Sequence, residues 1–390
     1  MDYSKKALEA HKDWGGKIEV ISRVKITNKD ELSTAYTPGV AAPCLEIVKD
    51  QDLSYAYTRR GNLVAVITDG SAVLGLGNIG AVAGMPVMEG KCALFKEFGG
   101  IDAIPIAITS QDTDEIVNTI KNIAASFGGI NLEDIAAPKC FEIERRLIEE
   151  LDIPVFHDDQ HGTAIVVLAA LINALKIVKK DIKDIKIALS GPGAAGTAVT
   201  KLLLEAGVKD MVLADKEGIL HRGRTDLDFA KKELAEITNK ENIKGGLKEA
   251  FAGADVFIGL SAANIVTPDM IKSMNPNPIV FALANPVPEI MPDLALEAGA
   301  AVVGTGRSDF ANQINNVLAF PAVFKGALSV RARRISQGMK IAAAYALASL
   351  IDESELRPDY VIPNVFDKRV CERVSRAVAE QAVKEGLNRI

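Results

Sequence analysis

Residues 185–215 read IKIALSGPGAAGTAVTKLLLEAGVKDMVLAD. An apolar run ends in a serine and passes into Gly191-Pro192-Gly193-Ala194-Ala195-Gly196. Small and leucine-rich residues then recur at helical spacing, and a second apolar run closes on Asp215. Strand, glycine turn, helix, strand and acid form one βαβ unit. The glycines let backbone approach a pyrophosphate, and the helix N-terminus offers the positive end of its dipole. Asp215 stands close to the spacing expected of an acid that takes a ribose hydroxyl. A bare strand-to-helix turn would need the same glycines, but it would not need the acid. The context therefore predicts a bound dinucleotide. Asp215 repels a 2′-phosphate and Lys216 attracts one, so NAD is slightly favoured over NADP.

The same alternation continues outward. Strands are predicted over 255–260, 279–283 and 301–303, and upstream over 62–68 and 104–108. Helices are predicted over 113–127, 140–151 and 160–180. Strands alternating with helices define an α/β protein, here with a Rossmann-type, doubly wound parallel sheet. A chain of 390 residues is too long for one ordinary domain. The tail from about 316 is mostly helical, and either packs back on the first part or serves a subunit contact.

Bulk properties exclude several functions. A net charge of −6 provides no field for a phosphate backbone, and 5% aromatics gives no base-stacking surface, so no nucleic acid is expected. The longest apolar run, 164–175, is broken by Asn173 and is too short to span a bilayer. Cys44, Cys92, Cys140 and Cys371 are scattered, with no C-x-x-C pair, and the charged N-terminus lacks an apolar signal core. A cytoplasmic setting is expected.

A second G-x-G-x-x-G, Gly75-Leu76-Gly77-Asn78-Ile79-Gly80, is read as a close-packed turn or a loop lining another ligand. Pro86 interrupts the helix predicted after it, and the strand at 104 does not end in an acid. His157-Asp158-Asp159-Gln160-His161 then gathers two of the four histidines beside two acids. Zinc is disfavoured, since neither H-E-x-x-H nor a third nitrogen or sulfur donor is present. The acids could cap the following helix. They could also join Glu133 and Asp134 around a cation, and an all-carboxylate set suits Mg²⁺ or Mn²⁺. Lys91 enters an apolar segment, either to act there or to snorkel out. Tyr36 lies in a Pro- and Gly-rich turn. Asn285 follows a strand at the edge where open sheets bind ligands, and Asn315 and Asn316 precede an apolar run.

Taken together, these segments resemble the malic enzymes in their short bacterial and archaeal form. The resemblance spans nearly the whole chain. It rests on AYTPGVAAPC (35–44), VITDGSAVLGLGNIG (66–80), MPVMEGKCALFKEFGGIDAIPI (85–106), INLEDIAAPKCFEIE (130–144), FHDDQHGTA (156–164), SGPGAAG (190–196), FALANPVPEI (281–290) and TGRSDFANQINNVLAFP (305–321). It implies oxidative decarboxylation of L-malate to pyruvate and CO₂ with NAD or NADP and Mg²⁺ or Mn²⁺. By resemblance, Tyr36, Lys91 and Asp158 are catalytic, and Glu133, Asp134 and Asp159 are metal ligands. Gly191, Gly193, Ala194, Ala195, Gly196, Asp215 and Lys216 bind the dinucleotide. Asn285 and Asn316 lie between cofactor and substrate, with Asn315 on the substrate side. The implied division is a substrate and metal domain over 1–160, a dinucleotide domain over 161–315 and a helical segment over 316–390, and the assembly is a homodimer. Larger members of the family carry a carboxylate-gripping arginine where this chain has Ala72. Asn315, Asn316, Arg307 or backbone N–H groups of the Gly75 turn would replace it.

This chemistry asks for a metal to polarise the hydroxyl, a base to take its proton and an acid to protonate carbon. A cation and partial burial would lower the Lys91 pKa enough for it to act as the base. Tyr36 would be the acid and Asp158 would position the ammonium. A malolactic-type enzyme or an oxaloacetate decarboxylase would use the same groups. A nucleotide-sensing protein would not need the lysine and acids, and an amino acid or folate dehydrogenase would not need the carboxylate cluster.

Overall fold

The run at 62–68 shows no polar alternation, as a strand covered on both faces requires. In the computed structural model, which describes residues 3–73 and 75–390, it forms β1 (Leu63–Thr68), buried from Val64 onward. Beside it lie β2 (Asp102–Ala107), β3 (Gly129–Leu132) and β4 (Val155–His157), all parallel, in the order β2-β1-β3-β4. The strands β3 and β4 were not among the predicted ones, because segments this short carry no readable period. Their register positions the site. Leu132 pairs with both Ile67 and His157, so Asp69, Glu133 and Asp158 emerge close together at the carboxyl edge.

The second sheet contains β5 (Lys186–Ser190), β6 (Asp210–Asp215), β7 (Gly218–Ile219), β8 (Val256–Gly259), β9 (Ile279–Ala282) and β10 (Val302–Thr305). The order β10-β9-β8-β5-β6-β7 is that of a Rossmann sheet, parallel throughout except for the short antiparallel edge strand β7. The strand order reverses between β5 and β8, the crevice where such sheets bind ligands.

Three helices differ from expectation. The helix Ala81–Gly99 runs through Pro86 instead of breaking there. The proline sits in the second turn, where it removes only one backbone bond, and the remainder is held by burial of Met88, Cys92 and Phe95. The long helix spans Asp158–Val178, so both acids lie inside its first turn rather than before it. It is long and apolar enough to cross a membrane by length and composition, yet it is an interior helix, with residues 164–171 buried. Its buried Asn173 donates to the carbonyls of Ala348 and Val361, both at 3.0 Å. The helix predicted over 113–127 ends at Ile123 and tightens into a 3₁₀ turn.

The tail packs back on the first part. The helices Phe320–Ser329, Gln337–Ala348 and Arg369–Lys384 share the main core, and the Phe320 and Phe324 rings meet Phe95 edge-on at 4.7 and 5.3 Å. The N-terminal arm is the opposite case. The helices Tyr3–Trp14, Lys29–Ala35 and Ala41–Lys49 bury no residue. Val20, Ile21, Leu45 and Val48 are among the exposed apolar side chains on this arm.

Candidate active site

Lys91 lies on the inner face of the helix Ala81–Gly99, one turn from Met88 and Phe95, and so cannot reach water along its stem. Its ammonium donates to Asp158 Oδ2 at 2.6 Å, pairs with Glu133 Oε1 at 2.9 Å and lies 4.4 Å from the centre of the Phe320 ring. Burial acts to lower its pKa. The carboxylates of Asp158, Glu133 and Asp159 outweigh that effect, so the pKa is raised well above the ordinary lysine value. Burial alone therefore does not make this lysine a ready base, and the expected lowering falls to the cation that the neighbouring acids would hold. Burial also acts to raise the carboxyls of Glu133 and Asp158, against the pull of Lys91.

Each acid is held by its own local structure. Asn131, fully buried on β3, donates to Glu133 Oε2 at 2.9 Å. The Asp134 backbone adopts φ 54°, a left-handed conformation that Asp tolerates, and its N–H donates to Asp159 Oδ2 at 2.8 Å. Asn316 Nδ2 donates to Asp158 Oδ2 at 2.5 Å, which ties the C-terminal segment to the acid pair. Gly162, one turn on, leaves the space that Asp158 fills: a Cβ there would lie 1.9 Å from Asp158 Oδ1.

Glu133, Asp134 and Asp159 each present an oxygen, and these atoms lie within 4.8 Å of one another. An all-oxygen, anionic, largely buried set fits Mg²⁺ or Mn²⁺ and not Zn²⁺. The histidines do not join it. His161 Nε2 bonds Glu144 at 2.9 Å, and His157 is fully buried with Nδ1 3.7 Å from Asp159, beyond hydrogen-bond reach.

At the second sheet, the turn after β5 is as tight as its glycines suggest. A Cβ on Gly196 would lie 2.2 Å from the Gly191 carbonyl oxygen. A cavity of about 590 Å³ opens over Ser190, Gly191, Gly193, Asp215 and Lys216. The Asp215 carboxylate is occupied: Arg224 donates to it at 2.8 and 3.3 Å, Lys231 at 2.7 Å and the Glu217 N–H at 3.0 Å. Lys216 is exposed and lies 3.6 Å from Glu217. The other glycine loop closes on itself, with Ile79 and Gly80 N–H groups donating to the Gly70 carbonyl. It also abuts the second sheet, since a Cβ on Gly75 would stand 3.1 Å from the Asn285 carbonyl.

Three sequence candidates are placed elsewhere. Tyr36 is 66% exposed on the arm, and no hydrogen bond among the described residues joins it to Lys91. Asn315 accepts from the Val317 N–H within its own turn. Arg307 is taken by Asp309 and the Pro286 carbonyl. Three residues that sequence reasoning missed are Asn131, Glu144 and Lys340. The last two had a signal: each is a charge within the apolar stripe of its helix, at 140/143/144/147 and 339/340/343/344/347.

A Rossmann sheet with an open glycine turn, in one chain with a buried lysine–carboxylate cluster, is the plan of a nicotinamide-linked oxidoreductase. Sequence comparison narrows the class. The family model for the malic enzyme N-terminal domain matches residues 15–148, and that for the malic enzyme NAD-binding domain matches 160–385. The chain belongs to the malic enzyme family. It is 56% identical over 391 residues to the bifunctional malic/malolactic enzyme of Bacillus subtilis, covering all of this chain and 95% of that protein. It is 56% identical over 375 residues to the NAD-dependent malic enzyme of Geobacillus stearothermophilus, covering 96% of this chain and 78% of that one. Relatives named NADP-dependent share 46–50% identity. The crystal structure of the malic enzyme from Pyrococcus horikoshii superposes with a TM-score of 0.95 at 53% identity, covering 99% of this chain and 92% of that one.

Proposed function

We infer that this chain oxidatively decarboxylates L-malate to pyruvate and CO₂ while reducing NAD⁺ or NADP⁺. The observation that carries the reading is the buried Lys91–Asp158–Glu133 cluster, whose Glu133 also lies with Asp134 and Asp159 in one group of mutually close carboxylates. In this reading 1–160 carries substrate and metal, 161–315 carries the dinucleotide, and 316–390 closes over both. Glu133, Asp134 and Asp159 would hold Mg²⁺ or Mn²⁺, whose chemistry is Lewis-acid polarisation of the malate hydroxyl and its neighbouring carboxylate.

The chain's own residues do the rest. With Glu133 and Asp159 engaged as ligands, two of the three carboxylates that raise the Lys91 pKa would be neutralised by the cation, and its hold on a proton would weaken. Lys91 would take the hydroxyl proton, and a bound nicotinamide would supply the hydride acceptor for that oxidation. Asp158, oriented by Asn316 and housed by Gly162, keeps the ammonium aimed. The Gly75 turn and Asn285, which meet between the sheets, take the far carboxylate in place of an arginine at position 72. Tyr36 would protonate the carbon from which CO₂ departs, and the proton held by Lys91 would restore it.

That last role needs assembly, because Tyr36 stands exposed on an uncovered arm. We propose a homodimer in which the arm is packed and Tyr36 reaches a Lys91. NAD⁺ is favoured, but Arg224 and Lys231 offset the Asp215 charge, so NADP⁺ is tolerated. The unpaired cysteines fit a cytoplasmic setting.

The test is an assay with L-malate and Mn²⁺, comparing NAD⁺ with NADP⁺. Pyruvate and reduced nicotinamide should appear in equal amounts. Lactate without net reduction would indicate the malolactic reading, which the Bacillus subtilis relative's name favours as a second activity.

A further inference from the structure

The helix that carries Asp158 and Asp159 begins without a cap of its own: the residue at its start, His157, makes no side-chain capping bond. Four N–H groups at a helix start lack intrahelical partners, and here Asp158 and Gln160 are buried while Asp159 and His161 are partly so. The partner comes from another helix. Glu144, on Lys139–Glu150 and 6% exposed, accepts from the His157 N–H at 2.9 Å and bonds His161 Nε2 at 2.9 Å. One carboxylate thus grips the chain on both sides of the acid pair, at 157 and at 161.

Isolated, such a buried carboxylate would be costly. Lys340, 6% exposed on Gln337–Ala348, supplies the opposite charge. Burial would push the Glu144 pKa up, but His161 and Lys340 hold it at about 2. Burial brings the Lys340 pKa down to about 8, against the pull of Glu144.

We propose that Glu144 is a positioning residue for the metal site: its clamp on His157 and His161 fixes where Asp159 and Asp158 point. The inference rests on the metal reading of Glu133, Asp134 and Asp159 above. It assigns a function to a buried side chain that touches neither substrate nor metal ligand.

The test measures Mn²⁺ affinity by electron paramagnetic resonance of the free ion, and NAD⁺ affinity by calorimetry, on folded protein. Glu144→Leu with Lys340→Met removes the clamp and strands no charge. Glu144→Asp keeps the charge and withdraws it by one methylene. Each should weaken Mn²⁺ binding by about tenfold or more while NAD⁺ binding is unchanged. Glu144→Gln with Lys340→Met keeps an acceptor for the His157 N–H without either charge, and should hold Mn²⁺ within about threefold of the wild type. If either clamp-breaking variant folds and binds Mn²⁺ like the wild type, the positioning role is wrong. If the Gln/Met variant loses Mn²⁺ as fully as the Leu/Met one, charge and not the clamp matters, and the role is equally wrong. A wild-type protein that binds no Mn²⁺ removes the metal reading itself, and this inference with it.

Discussion

At the residue scale the site is a contest between burial and charge. Lys91 is buried enough to lose its proton and surrounded by enough acid to keep it, and the acids prevail. Engagement of Glu133 and Asp159 elsewhere is what would release it. Asp159→Asn should therefore weaken Mn²⁺ binding by at least about tenfold and abolish metal-dependent turnover, with NAD⁺ affinity unchanged by calorimetry. Normal activity at ordinary Mn²⁺ would remove Asp159 from the ligand set. Lys91→Ala should lower kcat by about 10²–10⁴ with little change in NAD⁺ binding, as read from steady-state rates on folded protein. Much of this was legible beforehand. The lysine in an apolar segment and the two acid pairs were visible as residue types in unusual company. The grip of Glu144 on the backbone at 157 was not, because it links residues through a pairing of helices rather than through a spacing.

At the element scale the two strand–turn–helix corners do different work. The Gly191 turn packs so tightly that Gly196→Ala would drive a Cβ to 2.2 Å from the Gly191 carbonyl. That variant should lose at least about tenfold in NAD⁺ affinity, measured by calorimetry, while still binding Mn²⁺. Unchanged NAD⁺ affinity would mean that the turn is not the pyrophosphate site. The helix Asp158–Val178 depends on Glu144 from outside, and acid should reveal it. The Glu144 pKa lies at about 2 against an ordinary 4.5. A depressed folded pKa gives stability that is present above 4.5 and lost as pH falls towards 2. Between pH 5 and pH 3 this one group accounts for about 2 kcal/mol. Urea unfolding should show the wild type losing that much more than Glu144→Gln with Lys340→Met over the same interval. Equal losses would contradict the ionised clamp. The element types were readable wherever a segment was long enough to show a period, which is why β1 and β5 were anticipated and β3, β4 and β7 were not.

At the scale of the whole molecule the chain is unevenly finished. Two sheets and the C-terminal helices close around shared cores, yet the N-terminal arm leaves Val20, Ile21, Leu45 and Val48 exposed together with Tyr36. Apolar surface of that kind fits the dimer contact proposed above. Sedimentation should find a dimer, and Val48→Glu with Leu45→Glu should shift it towards monomer and lower turnover together. A fully active monomer would show that Tyr36 acts within its own chain or not at all. The sequence by itself determined the Rossmann half, through strand, glycine turn, helix and acid at fixed spacing, and it determined which residue types could perform the chemistry. These are local properties, since periodicity and turn geometry are set by neighbours along the chain. Only the tertiary structure decided that β1, β3 and β4 deliver Asp69, Glu133 and Asp158 to one edge, that Asn316 returns to Asp158 from far along the chain, and that three carboxylates outweigh burial at Lys91. Strand order and electrostatic balance depend on groups distant in sequence, and no local pattern encodes which of them will meet.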